Sequence, residues 1–252
     1  MCREISRFQE SQREGTSILD CLLLLDGADV PEGLHVPFTR IVRVSSVVMK
    51  KLSGLQSIDS TEAVALMRIP RSFCNLDSSD GIANCESWFP SRHRILALDG
   101  IQDPGNLGTL LRSAMAFNWD GVFLLPGCCD PFNDKALRAA RGASFQLPIV
   151  SGKWAHLQSL TQQFQMTMMA GHPIHGEERR DSLFLSRELA DVLAGQPLCL
   201  VLGSEGHGLS EESKMTCKLA SIPMAGKFES LNVSIAGGIF LFMLQHERQI
   251  VT

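Results

Sequence analysis

Apolar residues in this chain gather in short uninterrupted runs, at positions 95–98, 122–125, 146–150, 166–170, 198–202 and 220–224. Each is about the length of a strand buried on both faces. Between the runs the spacing changes to the three-and-four repeat of a helix that covers a core, over 107–117, 134–144, 154–164, 186–193 and 231–248. Regular alternation of strand and helix predicts an α/β fold, with a mainly parallel sheet carrying helices on both faces. Upstream, 21–25 and 63–69 read as strands and 46–52 as a short helix, which makes a second, smaller α/β region. Residues 73–92 are dense in Ser, Asn, Asp and Gly and show neither period, so they are expected to be a linker. The organisation read from the pattern is therefore 1–72, a linker 73–92, and 93–252.

Composition changes this picture little. No segment approaches 18 uninterrupted apolar residues, so a membrane span is not expected. The net charge of −4 does not announce a nucleic-acid partner, but RNA needs only a local basic surface. From 35 to 56 the charged residues are Arg40, Arg43, Lys50 and Lys51, with no acid among them. They are either candidate RNA contacts or a solvated face. The eight cysteines include no CxxC pair, and His172 and His175 lack a second ligand pair, so no metal is expected. Reduced thiols point to an intracellular compartment, cytoplasmic or organellar (plastid or mitochondrion). The first 14 residues mix Arg with Glu around no apolar core, which does not suit a secretory signal.

Chemistry is expected at the carboxyl ends of the strands, where ligands bind in parallel sheets. Three segments stand there. In the first, a strand ending at Asp99 passes through Pro104-Gly105 to Asn106, placed as a helix N-cap, with Gly108 and Arg112 one turn apart on a common face. Gly108 could admit a close backbone approach and Arg112 could reach an anion, although a packing glycine and a surface arginine give the same pattern. In the second, Gly203-Ser204-Glu205-Gly206-His207-Gly208 forms a tight loop. Its spacing is not that of a dinucleotide loop, and Glu205 would repel a pyrophosphate. In the third, Ile222-Pro223-Met224-Ala225-Gly226 leads through Ser230, Leu231 and Asn232 into the last helix, whose start offers N–H groups, a hydroxyl and an amide. Taken singly, each segment is also compatible with an ordinary loop or cap.

Together the three resemble the motifs of the SPOUT superfamily, in its TrmH/SpoU branch of RNA 2′-O-ribose methyltransferases. Asn106-x-Gly108-x-x-x-Arg112 is similar to the first motif and Gly203-Ser204-Glu205-Gly206-x-Gly208 to the second. The third is matched by Ile222-Pro223-Met224-x-Gly226-x-x-x-Ser230-Leu231-Asn232-Val233-Ser234. Less strongly, residues 44–53 and the strand near 63–69 resemble a partial L30e-like RNA-binding domain. A strand and helix that usually precede Leu22 are expected to be missing there, or replaced by residues 1–17.

The resemblance implies a SPOUT fold with a C-terminal trefoil knot, working as a homodimer. S-adenosyl-L-methionine would lie against Leu202, Gly203, Gly206, Ile222, Met224 and Leu231. It also implies methylation of a ribose 2′-hydroxyl in RNA, ribosomal RNA favoured over transfer RNA, with Arg112, Asn106, Glu205, Ser230 and Asn232 as catalytic residues. A guanidinium rarely loses its proton, so Arg112 is expected to bind the adjacent phosphate and stabilise the developing alkoxide rather than act as a base. The alternatives are a knotted RNA-binding homologue without activity and, more distantly, a nucleotide-dependent oxidoreductase.

Overall fold

The computed structural model of the chain describes residues 19–31, 39–53, 62–76, 87–173, 183–226 and 230–246. Contacts divide the chain into two compact units, Met1–Arg71 and Ser72–Thr252.

In the first unit β1 (Leu19–Leu25) is the middle of three strands, parallel to β2 (Arg40–Val44) and antiparallel to β3 (Ala63–Met67). A central strand needs apolar residues on both faces, which explains its unbroken leucines: Leu22 and Leu24 are buried. Helix α1 (Ser46–Ser53) contributes Met49, wholly buried, to this small core. The expected strand 63–69 ends two residues early, at Met67, because Pro70 closes the extended segment. The segment 1–17, expected to stand in place of the missing strand and helix, lies outside the described residues.

The second unit holds β4 (Phe73–Asn75), β5 (Arg94–Asp99), α2 (Pro104–Ala116), β6 (Gly121–Leu124), α3 (Asp134–Ala140) and the single turn α4 (Ala143–Gln146). Then come β7 (Ile149–Ser151), α5 (Trp154–Gln163), β8 (Thr167–Gly171), β9 (Leu183–Phe184) and α6 (Arg187–Leu193). Next are β10 (Leu198–Gly203), α7 (Glu211–Thr216), β11 (Lys218–Ser221) and α8 (Val233–Met243). The eight strands form one sheet in the order β4-β7-β6-β5-β10-β8-β11-β9, and every recorded pairing is parallel. Side chains alternate between its faces. Leu96 and Leu98 of β5, with Leu198, Leu200 and Leu202 of β10, join the core under α2 and α8. Ile95, Ala97, Cys199 and Val201 join the opposite core, with Leu157 and Leu160 of α5. Two covered faces make the sheet's middle strands read as solid apolar runs. Among the described residues no helix is long and apolar enough to cross a membrane.

Two late strands insert between earlier ones. β10 lies between β5 and β8, and β11 lies between β8 and β9. The carboxyl ends of β8, β10 and β11 are thus neighbours, with α8 following directly.

Some expected boundaries shift for local reasons. The helix expected over 134–144 breaks where Arg141 and Gly142 adopt left-handed backbone, φ 53° and 96°. The strand expected over 146–150 therefore begins only at Ile149. Part of the expected linker belongs to the domain: Phe73–Asn75 pairs with β7 at the sheet edge, and Phe89 is wholly buried. Exclusion of apolar side chains from water outweighs the polar composition around them. The last helix ends at Met243, and 247–252 lie outside the described residues.

Arg94 fastens the end of the sheet opposite the loops. It is 1% exposed, and its guanidinium donates to carbonyl oxygens of Leu244 (2.7 Å), Gln196 (2.6 Å), His93 (2.9 Å), Leu193 (3.0 Å) and Ala194 (3.2 Å). Burial lowers its pKa, and the charge of Asp120 opposes that. A planar fork of donors suits the converging carbonyls at the ends of α6 and α8.

Candidate functional site

A cavity of about 500 Å³ opens at the carboxyl ends of three adjacent strands. Gly171 ends β8, with His172 and Pro173 after it; Leu202 and Gly203 end β10, with Ser204 and Glu205 after them; Ser221 ends β11, with Ile222 and Met224 beyond it. Ser230, Leu231, Asn232 and Val233 close it at the start of α8, and Phe240 forms part of its inner wall.

The loop after β10 owes its shape to glycines. Ser204 and Gly208 exchange backbone hydrogen bonds of 3.0 and 2.9 Å, and Gly208 has φ +68°, a conformation that costs glycine little. A Cβ on Gly203 would overlap the backbone of Gly208 and Leu209, so the loop can fold back on itself only with glycine there. Glu205 is carried out at its tip.

Glu205 joins the three sequence segments. Its Oε1 accepts from Asn106 Nδ2 at 2.7 Å, from Asn232 Nδ2 at 2.6 Å and, more weakly, from the Val233 N–H at 3.4 Å. Asn232 Nδ2 also donates to Asn106 Oδ1 at 3.2 Å. The other end of the Asn232 amide caps α8, its Oδ1 accepting from the Ser234 N–H (2.9 Å), the Ser234 hydroxyl (2.6 Å) and the Ile235 N–H (3.3 Å). Both atoms of one side chain are thereby used, and its orientation is set by the helix itself. A carboxylate at the N-terminus of α8 is also favoured by the helix dipole.

The structure corrects one feature expected of the first motif and shows where the other two residues stand. Asn106 is not the N-cap: Asp103 takes that place, its Oδ1 accepting the Asn106 N–H at 2.8 Å, and α2 begins at Pro104. Proline suits the first helical position, which frees the Asn106 side chain to face Glu205. Gly108 is a packing glycine, because a Cβ there would overlap Ala136 O and sit 2.7 Å from Ala139 Cβ, so α2 and α3 touch backbone to backbone. Arg112 lines no wall of the cavity. It is exposed on α2 and makes no hydrogen bond or ion pair with a described residue.

Of the residues expected around a cofactor, Leu202, Gly203, Ile222, Met224 and Leu231 line the cavity. Gly206 does not; it stands exposed at the loop tip, with nothing within 4 Å of where a Cβ would be. Ser230 lines the mouth. Sequence reasoning missed the segment Gly171–Pro173, although a Gly-His-Pro at the end of an apolar run is a strand-end signal of the same kind. Gly171 is needed there because a Cβ would lie 2.9 Å from both Leu202 and Phe240. Beyond the end of β5, burial pushes the Cys128 thiol up to about 11, and its Sγ donates to the Leu98 carbonyl at 3.2 Å and accepts the Ile101 N–H at 3.3 Å.

In the first unit the four basic candidates are exposed but do not form one face. Arg40 and Arg43 are three apart on β2, so they point to opposite sides of the sheet, and Arg43 donates to the Ala28 carbonyl at 3.0 Å. Lys50 and Lys51 lie in the last turn of α1.

The family described as SpoU rRNA Methylase matches residues 93–242. The chain is 33% identical to an uncharacterized tRNA/rRNA methyltransferase of Mycobacterium leprae, over 85% of this chain and 73% of that protein. It is 30% identical to RlmP of Bacillus subtilis, a 23S rRNA (guanosine(2553)-2′-O)-methyltransferase, over 64% of this chain and 61% of that one. The AdoMet-bound rRNA methyltransferase of Sinorhizobium meliloti superposes with a TM-score of 0.69 at 22% identity, covering 100% of this chain and 95% of that one, which is a likeness of fold. This chain spans about half the length of the first curated relatives it matches, 53% and 48%.

Proposed function

This chain belongs to the SpoU rRNA methylase family, and from that premise we propose that it transfers a methyl group from S-adenosylmethionine to a ribose 2′-hydroxyl of RNA, ribosomal RNA favoured over transfer RNA. The observation that carries this reading is the meeting of Asn106, Glu205 and Asn232, from three distant segments, at the mouth of a strand-end cavity. That is where parallel sheets bind ligands. The preference for ribosomal RNA follows the name of the family and the 23S rRNA relative.

The residues present fit the cofactor. A cavity of about 500 Å³ is of the size that takes a small molecule. Leu202, Ile222 and Leu231 offer apolar surface to an aromatic base, and the bare backbone at Gly203 allows close approach. Met224 supports the outer side, and Gly206 acts through the turn it helps to form. When bound, the cofactor supplies an electrophilic methyl on a sulfonium; the protein positions the hydroxyl and stabilises the charge that develops on it. Arg112, exposed one turn beyond Gly108, is assigned to the phosphate beside the target ribose and to the developing alkoxide. A guanidinium acts there as an electrostatic partner, not as a proton acceptor. Glu205 and the two asparagines hold the nucleotide's surroundings in place, and Ser230 offers a hydroxyl beside them.

Two further features of the family are part of this reading. The insertion of β10 between β5 and β8, and of β11 between β8 and β9, supports a C-terminal trefoil knot. A homodimer is supported by α8, which leaves Ile235 and Phe242 more than half exposed at a seven-residue spacing along one face. Arg40, Arg43, Lys50 and Lys51 are proposed as RNA contacts of the first unit, engaged from more than one side.

The decisive experiment incubates the protein with labelled S-adenosylmethionine and, separately, ribosomal and transfer RNA, then maps ribose methylation. Label at a 2′-oxygen of ribosomal RNA, lost in Arg112→Ala, is the expected result. No methylated ribose in either RNA would overturn the reading. Sedimentation of the wild type and of Phe242→Lys tests the dimer, which the substitution should dissociate.

A further inference from the structure

We propose that Asp99 is a positioning residue for the methyl-transfer site, a staple across the two ends of the loop that carries Glu205. The kinetic part of this inference rests on the function proposed above. Asp99 is the last residue of β5, and in the parallel register its backbone lies opposite Gly203, where the loop begins. Its side chain then reaches the far end of the same loop. Oδ2 accepts from the Ser210 N–H at 2.8 Å and from the Ser213 hydroxyl at 2.6 Å.

The groups it holds are anchored in turn. Ser213 is wholly buried, and Ser210 is the N-cap of α7, its hydroxyl donating to Ser213 Oγ at 3.0 Å and accepting the Ser213 N–H at 3.3 Å. Leu209, the residue before the staple, is 3% exposed. The entry of the loop is thus fixed by strand pairing and its exit by short bonds to a carboxylate, which are stronger than neutral ones. Between these points the Ser204–Gly208 bridge leaves only the tip, with Glu205, facing Asn106 and Asn232. Asp99 lines no wall of the cavity, and its side-chain hydrogen bonds go to Ser210 and Ser213 rather than to the three network residues, so its effect on chemistry passes through the loop.

The test compares Asp99→Ala, which removes the acceptor, with Asp99→Asn, which keeps an acceptor oxygen of the same reach. In Asp99→Ala, hydrogen exchange at the Ser210 amide should quicken while the interior amides of β5 and β10 stay protected. Binding of S-adenosylmethionine, read by calorimetry, should weaken roughly ten- to hundredfold, the scale of misplacing a site by about an ångström. Methyl transfer should lose kcat by more than KM for RNA rises. Asp99→Asn should restore both constants to within about threefold, since the acceptor geometry survives. If Asp99→Ala does not fold, Ser213→Ala, which deletes one of the two bonds, should show the same pattern at smaller amplitude. Unchanged Ser210 exchange with unchanged cofactor affinity would overturn the staple, as would equal losses in the Ala and Asn variants. If the wild type itself neither binds the cofactor nor methylates RNA, the functional reading fails, while the exchange arm still decides the role of Asp99.

Discussion

Asn232 serves two masters, and substitution can separate them. Its Oδ1 caps α8, and its Nδ2 holds Glu205 at 2.6 Å. Replacement by Ala removes both functions; replacement by Ser keeps a capping oxygen but is too short to supply the second bond. Loss of an asparagine cap costs about 1 kcal/mol, whereas serine caps nearly as well. For a domain of this size 1 kcal/mol moves Tm by about 2–4 °C, so Asn232→Ala should melt a few degrees low and Asn232→Ser close to wild type. The bond to a carboxylate is worth about 1.5–3 kcal/mol. If it is realised in the transition state, both variants should lose about ten- to hundredfold in kcat/KM. Differential scanning fluorimetry gives the first quantity, and methyl transfer from labelled cofactor to ribosomal RNA gives the second. Losses of activity that simply track loss of stability across the two variants would refute the division of labour, and so would an Asn232→Ser enzyme with wild-type turnover.

Other consequences concern the frame around the site. Arg94→Leu takes a donor from five carbonyl oxygens, of which those of His93 and Leu193 keep a backbone N–H from Leu198 and Gln196, and should cost about 3–5 kcal/mol, seen as a marked fall in the denaturant midpoint; an unchanged midpoint would mean that the others find water instead. Gly108→Ala forces α2 off α3 and should destabilise by about 1–3 kcal/mol, with no loss expected if the helices can separate freely. Cys128, pushed up to about 11 by burial, is about a thousandth thiolate at pH 8 and should resist alkylation in the folded protein, as mass spectrometry after iodoacetamide would show. Because this pKa is raised above that of the unfolded thiol, its contribution to stability is intact below about pH 9 and is lost as pH climbs towards 11. A stability that rises over that interval would contradict the burial.

Much of this was legible beforehand, for reasons that can be located. The sheet's middle strands β5, β6 and β10 were visible because strands covered on both faces demand unbroken apolar runs. The short strands β2, β4 and β9 were not, since edge positions and brief pairings demand little of their side chains. The cap of α2 was misplaced by three residues because Asp103 and Asn106 are both good capping residues, and only the path of the chain chooses between them. Arg94 gave no signal at all: a charged residue opening a strand looks exposed until the ends of α6 and α8 converge on it.

Sequence alone determined the class of fold, the order of its elements and the residue types of the three loops, because these depend on local pattern and on chemistry carried within a few neighbours. Only the tertiary structure decided which of those residues meet. Asn106 and Glu205 are 99 positions apart, and their 2.7 Å contact exists because β10 pairs with β5 and brings both strand ends to the same edge. The same pairing sets Asp99 beside Gly203, while Gly108 turns into a packed helix contact and Arg112 out to solvent. Such placements follow from non-local strand exchange, which leaves no periodic trace along the chain.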